Sequence, residues 1–375
     1  MKIFYISQVG IPSTAAQSVG TMHLCEAFAN LGYDTTLIVK NKLWERTPSG
    51  YNSNIWDFYG VEANFCVKKI PALPRSTLWF QRLALAHVDR SDGVVYTRSV
   101  TLTSMAVALH FRVVLEFHEV HADGEEKILE QCAKSPDLLG VVVLTAALGR
   151  YYTEKIPSLA SKIIVSPNGA KEPKQTEIID FQNSGRLQIG YIGHLYPGRG
   201  IDIIEALARK CSWAYFHLIG GTKADISYWK KRFGKLSNVK FYGFVPHSQT
   251  DVYRQSFDVL LAPYQKRVAL GGGKGDTAKW LSPIKIFEYM AAGKPMLVSD
   301  LPMLRKLLKH EQTALLCEPE NVASWISALE QLRDDSDLAN RLGTSACEEF
   351  RAKYTWKARA ERIVQGLDIE TKLLK

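Results

Sequence analysis

An α/β protein built from two tandem, doubly wound units is what the sequence predicts, and three observations predict it. In both halves, short runs rich in β-branched and aromatic residues alternate with amphipathic helical stretches, the pattern of parallel strands joined by crossover helices. At 375 residues the chain exceeds the size that one hydrophobic core usually serves. A polar stretch, "GAKEPKQTEIIDFQNSG" at 169–185, separates the two series and reads as a linker.

Strands of the first series are expected at 2–7 ("KIFYIS"), 35–40, 93–98, 112–118 ("RVVLEFH"), 140–145 and 162–169. "AQSVGTMHLCEAFANLG", between the first two, reads as a helix with Gly32 as its C-cap. The second series restarts at 187–193 ("LQIGYIG") and continues at 213–221, 238–245, 257–264 and 294–300. Beyond residue 320 the pattern is wholly helical. Domains of 1–174 and 175–355 follow. Open α/β sheets bind ligands at the carboxyl ends of their strands, so the cleft between the units is the expected site.

Composition narrows the function. Six scattered cysteines form no C-x-x-C pair, so neither a zinc knuckle nor a disulfide framework is indicated and a reducing compartment fits. "MKIFYISQVG" reads as an opening strand rather than a secretory leader. No apolar run reaches the about 18 residues of a membrane span, so a soluble, cytoplasmic protein is expected. The net charge of +9 is uneven: 18 basic residues face 16 acidic ones in 1–175, but 29 face 22 in 176–375. A basic second half favours an anionic ligand there, such as a nucleoside diphosphate. Nucleic acid is not expected, because no basic stripe is interleaved with aromatics.

"GGGKGDTAKWLSPIKIFEYMAAGKP", 271–295, opens like a phosphate-binding loop. Lys274 is followed by glycine instead of a hydroxyl residue, so the P-loop spacing fails. The anion site falls downstream instead. Ser282 is expected to cap a helix with Pro283 at its first turn, and Gly293 to end it. Amides of Ile284, Lys285 and Ile286 would then face an anion at the positive helix end. Glu288, one turn on, suits the two hydroxyls of a ribose. The plainer alternative is an ordinary capped helix with Glu288 as a surface charge.

The run S-P-x-K-x-F-E-Y-M-A-x-G-K-P, followed by "SDLP", resembles retaining glycosyltransferases of family 4 with the GT-B fold, in particular a bacterial subgroup. "YIGHLYPGRGID" (191–202), "VSPNGAK" (165–171), "FYGFVPH" (241–247), "LAPY" (261–264) and "YTWKARAERI" (354–363) resemble it too, in the family's order. The resemblance implies an N-terminal acceptor-binding domain, 1–174, to which a C-terminal helix, 356–375, returns. It implies a nucleotide-sugar donor domain at 175–355. Glu288 looks like the second glutamate of the family's E-x7-E motif, on the ribose. Gly193, Ser282, Pro283, Ile284, Lys285 and Val245 fall at donor-binding positions, and Arg199 stands where the family neutralises the departing diphosphate. His118 matches a histidine that contacts the transferred sugar or acceptor, with Glu119, His121 and Asp123 beside it to orient it or the acceptor hydroxyl. No metal or cofactor is implied, the acceptor being deprotonated by the donor's own phosphate. Donor UDP or GDP, a glycan or lipid-linked acceptor and surface polysaccharide assembly follow from the family alone.

Two positions depart from that pattern. His194 stands where the family commonly has Arg, and Trp280 replaces the first glutamate of E-x7-E. Asp276 is the substitute candidate for the sugar hydroxyls. A nucleotide-sugar epimerase of the same fold, or a non-catalytic sugar-nucleotide-binding protein, is the rival reading. H-E-V-H at 118–121 has the wrong spacing for a helical zinc site. Asp335-Ser-Asp337 reads as a helix N-cap rather than a metal-binding D-x-D. Finally, "FCVKKIPALPRSTLWFQRL" (65–83) mixes basic residues with Trp79 and Phe80, which could touch an anionic membrane or form a loop and an inward-packing helix.

Overall fold

The computed structural model describes residues 1–13, 15–41, 54–71, 77–120, 124–174, 177–182, 185–268, 280 and 282–367. Two units divide the chain: Met1–Gly169 with Trp356–Lys375, and Ala170–Thr355. The division falls inside the polar stretch that reads as a linker.

In the first unit seven strands form one parallel sheet. They are β1 (Lys2–Ser7), β2 (Asp34–Asn41), β3 (Cys66–Pro71), β4 (Gly93–Thr97), β5 (Arg112–Phe117), β6 (Leu138–Val143) and β7 (Ile163–Val165), in the order β3-β2-β1-β4-β5-β6-β7. Central strands are covered on both faces, which is why β4 to β6 read as nearly unbroken apolar runs. The helix Trp356–Gly366 belongs to this unit, where Trp356 stacks on His23 at 5.7 Å.

The second unit has six parallel strands: β8 (Leu187–Ile192), β9 (Ala214–Ile219), β10 (Val239–Gly243), β11 (Val259–Ala262), β12 (Met296–Ser299) and β13 (Leu315–Cys317), ordered β10-β9-β8-β11-β12-β13. Alternation along β11 shows how its core is split. Val259 and Leu261 join one apolar cluster with Phe216, Trp229 and Trp325, while Leu260 and Ala262 join another with Phe287, Tyr289 and Met296.

Two strands escape the sequence reading. β3 is a sheet edge with exposed Lys68 and Lys69, so its pattern is polar, and β13 has only three residues. The predicted strands are all present: β1 keeps its bounds, β2 is longer by one residue at each end, β6 lies two residues earlier, and the rest are trimmed, since segments such as 162–169 and 257–264 continue into loops.

Candidate active site

Strand order reverses between β8 and β11, and the residues that follow both strands meet there. After β8 comes Gly193, at φ 151°, and then a turn in which Gly198 and Gly200 have φ of 85° and 77°. A β-carbon on Gly193 would lie 2.8 Å from Lys285 Nζ, so this glycine lets the lysine approach the strand end. A β-carbon on Gly200 would lie 1.8 Å from the Pro263 carbonyl oxygen, so the turn that presents Arg199 rests directly on the chain leaving β11.

Lys285 Nζ lies 3.6 Å from the centre of the Tyr191 ring and 5.5 Å from that of Tyr264. Arg199 shares Tyr264, at 5.5 Å, and packs over Tyr196 at 5.1 Å. Among the described residues Arg199 Nε is buried without a hydrogen-bond partner, and Lys285 forms no ion pair. Burial, and after it the charge of Arg199, draws the Lys285 ammonium well below its ordinary range, with Glu288 opposing. His194 is also lowered, by burial and then by Arg199 and Lys285. Arg199 and Lys285 thus share the Tyr264 ring, beside a histidine whose protonation is opposed by burial and then by both of them.

Lys285 stands on the helix Ile284–Ala292, which Gly293 closes in the left-handed conformation, as expected. Its start differs from the sequence reading by one residue. Pro283 is the N-cap, and Ser282 lies buried before it. Ile286 donates to the Pro283 carbonyl at 3.0 Å, which leaves the amides of Ile284 and Lys285, not three amides, ahead of the first helical bond.

Glu288 is neither a plain surface charge nor a lone carboxylate. His247 Nε2 lies 2.5 Å from one of its oxygens and Arg254 Nη1 3.2 Å from the other. Arg254, on the short helix Thr250–Ser256, is itself buried and also pairs with Asp251. Val245 follows β10 and packs, partly buried, on the same apolar cluster as Tyr289. His247 and Arg254 were not legible as site residues. His247 does close the "FYGFVPH" run that resembles the family, and the spacing of 247, 251 and 254 puts a histidine, a carboxylate and a guanidinium on one side of a helical turn.

In the first unit His118 follows β5. Its Nε2 bonds Glu116, whose other oxygen takes the Tyr96 hydroxyl and lies 3.1 Å from Arg359 Nη2. Glu116 and Arg359 are both almost wholly buried. Burial opposes charge on Glu116, but Arg359 and then His118 outweigh it and hold the carboxyl well below its usual range. His118 is lowered to about 4 by burial and by Arg98, against the pull of Glu116. Since an ionised carboxylate only accepts, Nε2 carries the proton and Nδ1 is left as an acceptor. The orienting group is therefore Glu116, within the strand. Of the expected neighbours, Glu119 is seen to accept the Tyr152 hydroxyl through its carbonyl, at 3.3 Å. His121 and Asp123 lie outside the described residues, as does Asp276; Trp280 is described, as part of a turn.

Asp335 caps the helix Ser336–Lys353, its carboxylate accepting from Leu338 N at 2.8 Å. On the helix Thr77–Leu85, Phe80, Gln81, Ala84 and Leu85 are buried, whereas Leu78 and Trp79 are 55% and 38% exposed. Among the described residues no helix is long and apolar enough to cross a membrane.

Residues 174–349, within the second unit, match the family Glycosyl transferases group 1. A Bacillus subtilis protein, TuaH, named for teichuronic acid biosynthesis, is 27% identical over 123 residues, which span 32% of this chain and 28% of TuaH. A phosphatidyl-myo-inositol mannosyltransferase of Mycobacterium leprae is 23% identical over 313 residues, 81% of this chain and 74% of the relative. In structure, Anabaena HepE, solved in complex with UDP, matches with a TM-score of 0.72 at 15% identity, over 98% of this chain and 100% of that one. The fold is thus GT-B, with two Rossmann-like units. Over its second unit the chain is similar in sequence to group 1 glycosyltransferases.

Proposed function

We propose that the protein is a glycosyltransferase that moves a sugar from a nucleoside-diphosphate sugar to a hydroxyl of a glycan or lipid-linked acceptor, with retention at the anomeric carbon. One observation carries the reading. At the switch point of the second unit, Arg199 and Lys285 both lie 5.5 Å from the centre of the Tyr264 ring, with no carboxylate paired to either among the described residues. Desolvated cations without a counter-ion favour an anionic ligand, and a departing diphosphate brings charge that grows in the transition state. Amides of Ile284 and Lys285 add the positive end of a helix. Glu288, held by His247 and Arg254, is oriented to bind the ribose.

On this reading the second unit binds the donor and the first the acceptor. Neutral His118 offers Nδ1 to a hydroxyl of the sugar or acceptor, and Glu116 positions it. The acceptor proton passes to the leaving phosphate oxygen on the same face, so no protein nucleophile or metal takes part. UDP is the first donor nucleotide to test, because Anabaena HepE was solved with it. The mycobacterial relative's name supports a lipid-linked acceptor, and with it a role in surface glycan assembly. Exposed Leu78, Trp79 and Arg82, with Lys68 and Lys69 on β3, suit peripheral contact with an anionic membrane at its cytoplasmic face.

Calorimetric titration with UDP tests the core of the proposal. Lys285→Met and Arg199→Met should each weaken binding about tenfold to a hundredfold, the worth of a charge-assisted contact. Wild-type affinity in both variants would overturn the assignment.

A further inference from the structure

A second concave site lies in the second unit, away from the cations. Its cavity of about 460 Å³ is lined by Phe181, Tyr215, Tyr242 and Tyr253 together with Asp180 and Lys240, whose ammonium lies 4.8 Å from the centre of the Tyr242 ring. None of these residues belongs to the anion site. Tyr215 and Lys240 stand at the second positions of β9 and β10, away from the carboxyl ends that carry the anion site, and β10 is the open edge of the sheet.

The walls are held rigidly. His217, buried behind them, has its Nδ1 2.7 Å from the Tyr242 hydroxyl and its Nε2 2.8 Å from Gln188 Oε1. The amide oxygen only accepts, so Nε2 carries the proton and the Tyr242 hydroxyl donates to Nδ1. Burial, and then Lys240, lower His217 to about 4, which keeps this arrangement intact at neutral pH. Phe181 packs on His217 at 4.2 Å and on Phe257 at 5.4 Å, and Tyr253 meets Tyr242 edge-on at 5.4 Å. Such rings lose little freedom when a ligand arrives.

Chemistry at the site selects the ligand. Flat aromatic walls match the C–H faces of a pyranose, and polar groups beside them bond its hydroxyls. The one cation and the one carboxylate balance, so the cavity lacks the excess positive charge that a nucleotide or phosphate would need. We propose that this cavity is an accessory glycan-binding subsite, which holds pyranose units of a neutral oligosaccharide apart from the donor site. The choice of a sugar as ligand rests on the glycosyltransferase reading.

Saturation-transfer NMR on the full chain, with maltotriose, cellotriose and chitotriose as probes, tests it. At least one trisaccharide should bind at millimolar concentration. Tyr253→Ala and the exposed-site variant Lys240→Met should each weaken that binding about tenfold, with UDP affinity unchanged. Absence of saturation transfer from all three at about 10 mM, or binding unaltered in both variants, overturns the proposal. Trisaccharide binding that the variants abolish in a protein that fails to bind UDP would sink the donor assignment while the subsite stands.

Discussion

Removal of Arg359 should strongly destabilise the first unit. It reaches from the helix Trp356–Gly366 to Glu116 at 3.1 Å and donates to the carbonyls of Ser166 and Pro167. Side-chain exposure is 1% for Arg359 and 3% for Glu116, so replacing the arginine leaves a carboxylate that water cannot solvate. Breaking one partner out of a buried pair costs about 3–5 kcal/mol. Arg359→Met should therefore lower the melting transition of the unit by about 10 °C, taking about 2–4 °C per kcal/mol for a unit of this size. His118 and Arg98 still favour the charged carboxyl, which places the expected cost toward the lower end. Glu116→Gln alone should also destabilise, because it strands Arg359. Combined with Arg359→Met it should cost less than the sum by about 2 kcal/mol, the mark of a coupled pair. Scanning calorimetry of the full chain measures all four species. If the two substitutions add within about 0.5 kcal/mol, the buried pair does not organise this unit.

Further outcomes follow from other parts of the molecule. Gly200→Ala should destabilise the second unit by about 3 kcal/mol or more and reduce UDP affinity, since its β-carbon would overlap the Pro263 carbonyl; an unchanged melting curve would contradict the tight turn. His118 and His217, both lowered to about 4, bind a proton in the unfolded chain that the folded one refuses between that value and their ordinary 6.5. Stability should thus be lost as pH falls from 6.5 toward 4, by at most about 3 kcal/mol for each, and these two should contribute no more than about 0.2 kcal/mol each between pH 7 and 8 in urea titrations. On the proposed function, in which Arg199, Lys285 and helix amides would meet the diphosphate, transferase activity should survive about 10 mM EDTA; complete loss, restored by a divalent ion, would refute the metal-free reading. Cosedimentation with anionic vesicles should fall when Lys68 and Lys69 become Glu and Trp79 becomes Ala, and undiminished binding would end the case for membrane contact.

How much of this could be read beforehand depends on where each signal resides. Strand-and-helix alternation is local, so the two parallel sheets were legible, whereas "PGRG" by itself shows only an arginine in a turn after a strand, and the role given to Arg199 came from the family resemblance. The aromatic setting of the cations was not legible, since it requires β8 beside β11 and the helix Ile284–Ala292 against both, contacts that no sequence period encodes. The buried charges are instructive. In "RVVLEF" a glutamate interrupts an apolar run, and in "AYFHLI" a histidine does the same. A central strand of a parallel sheet is covered on both faces, so a charged or titratable residue within it must be paired or neutral. The sequence therefore implied a partner for Glu116 without saying which of many basic residues it was. Arg359 supplies it from the far end of the chain, and His118 is the neighbour that the pair holds in place.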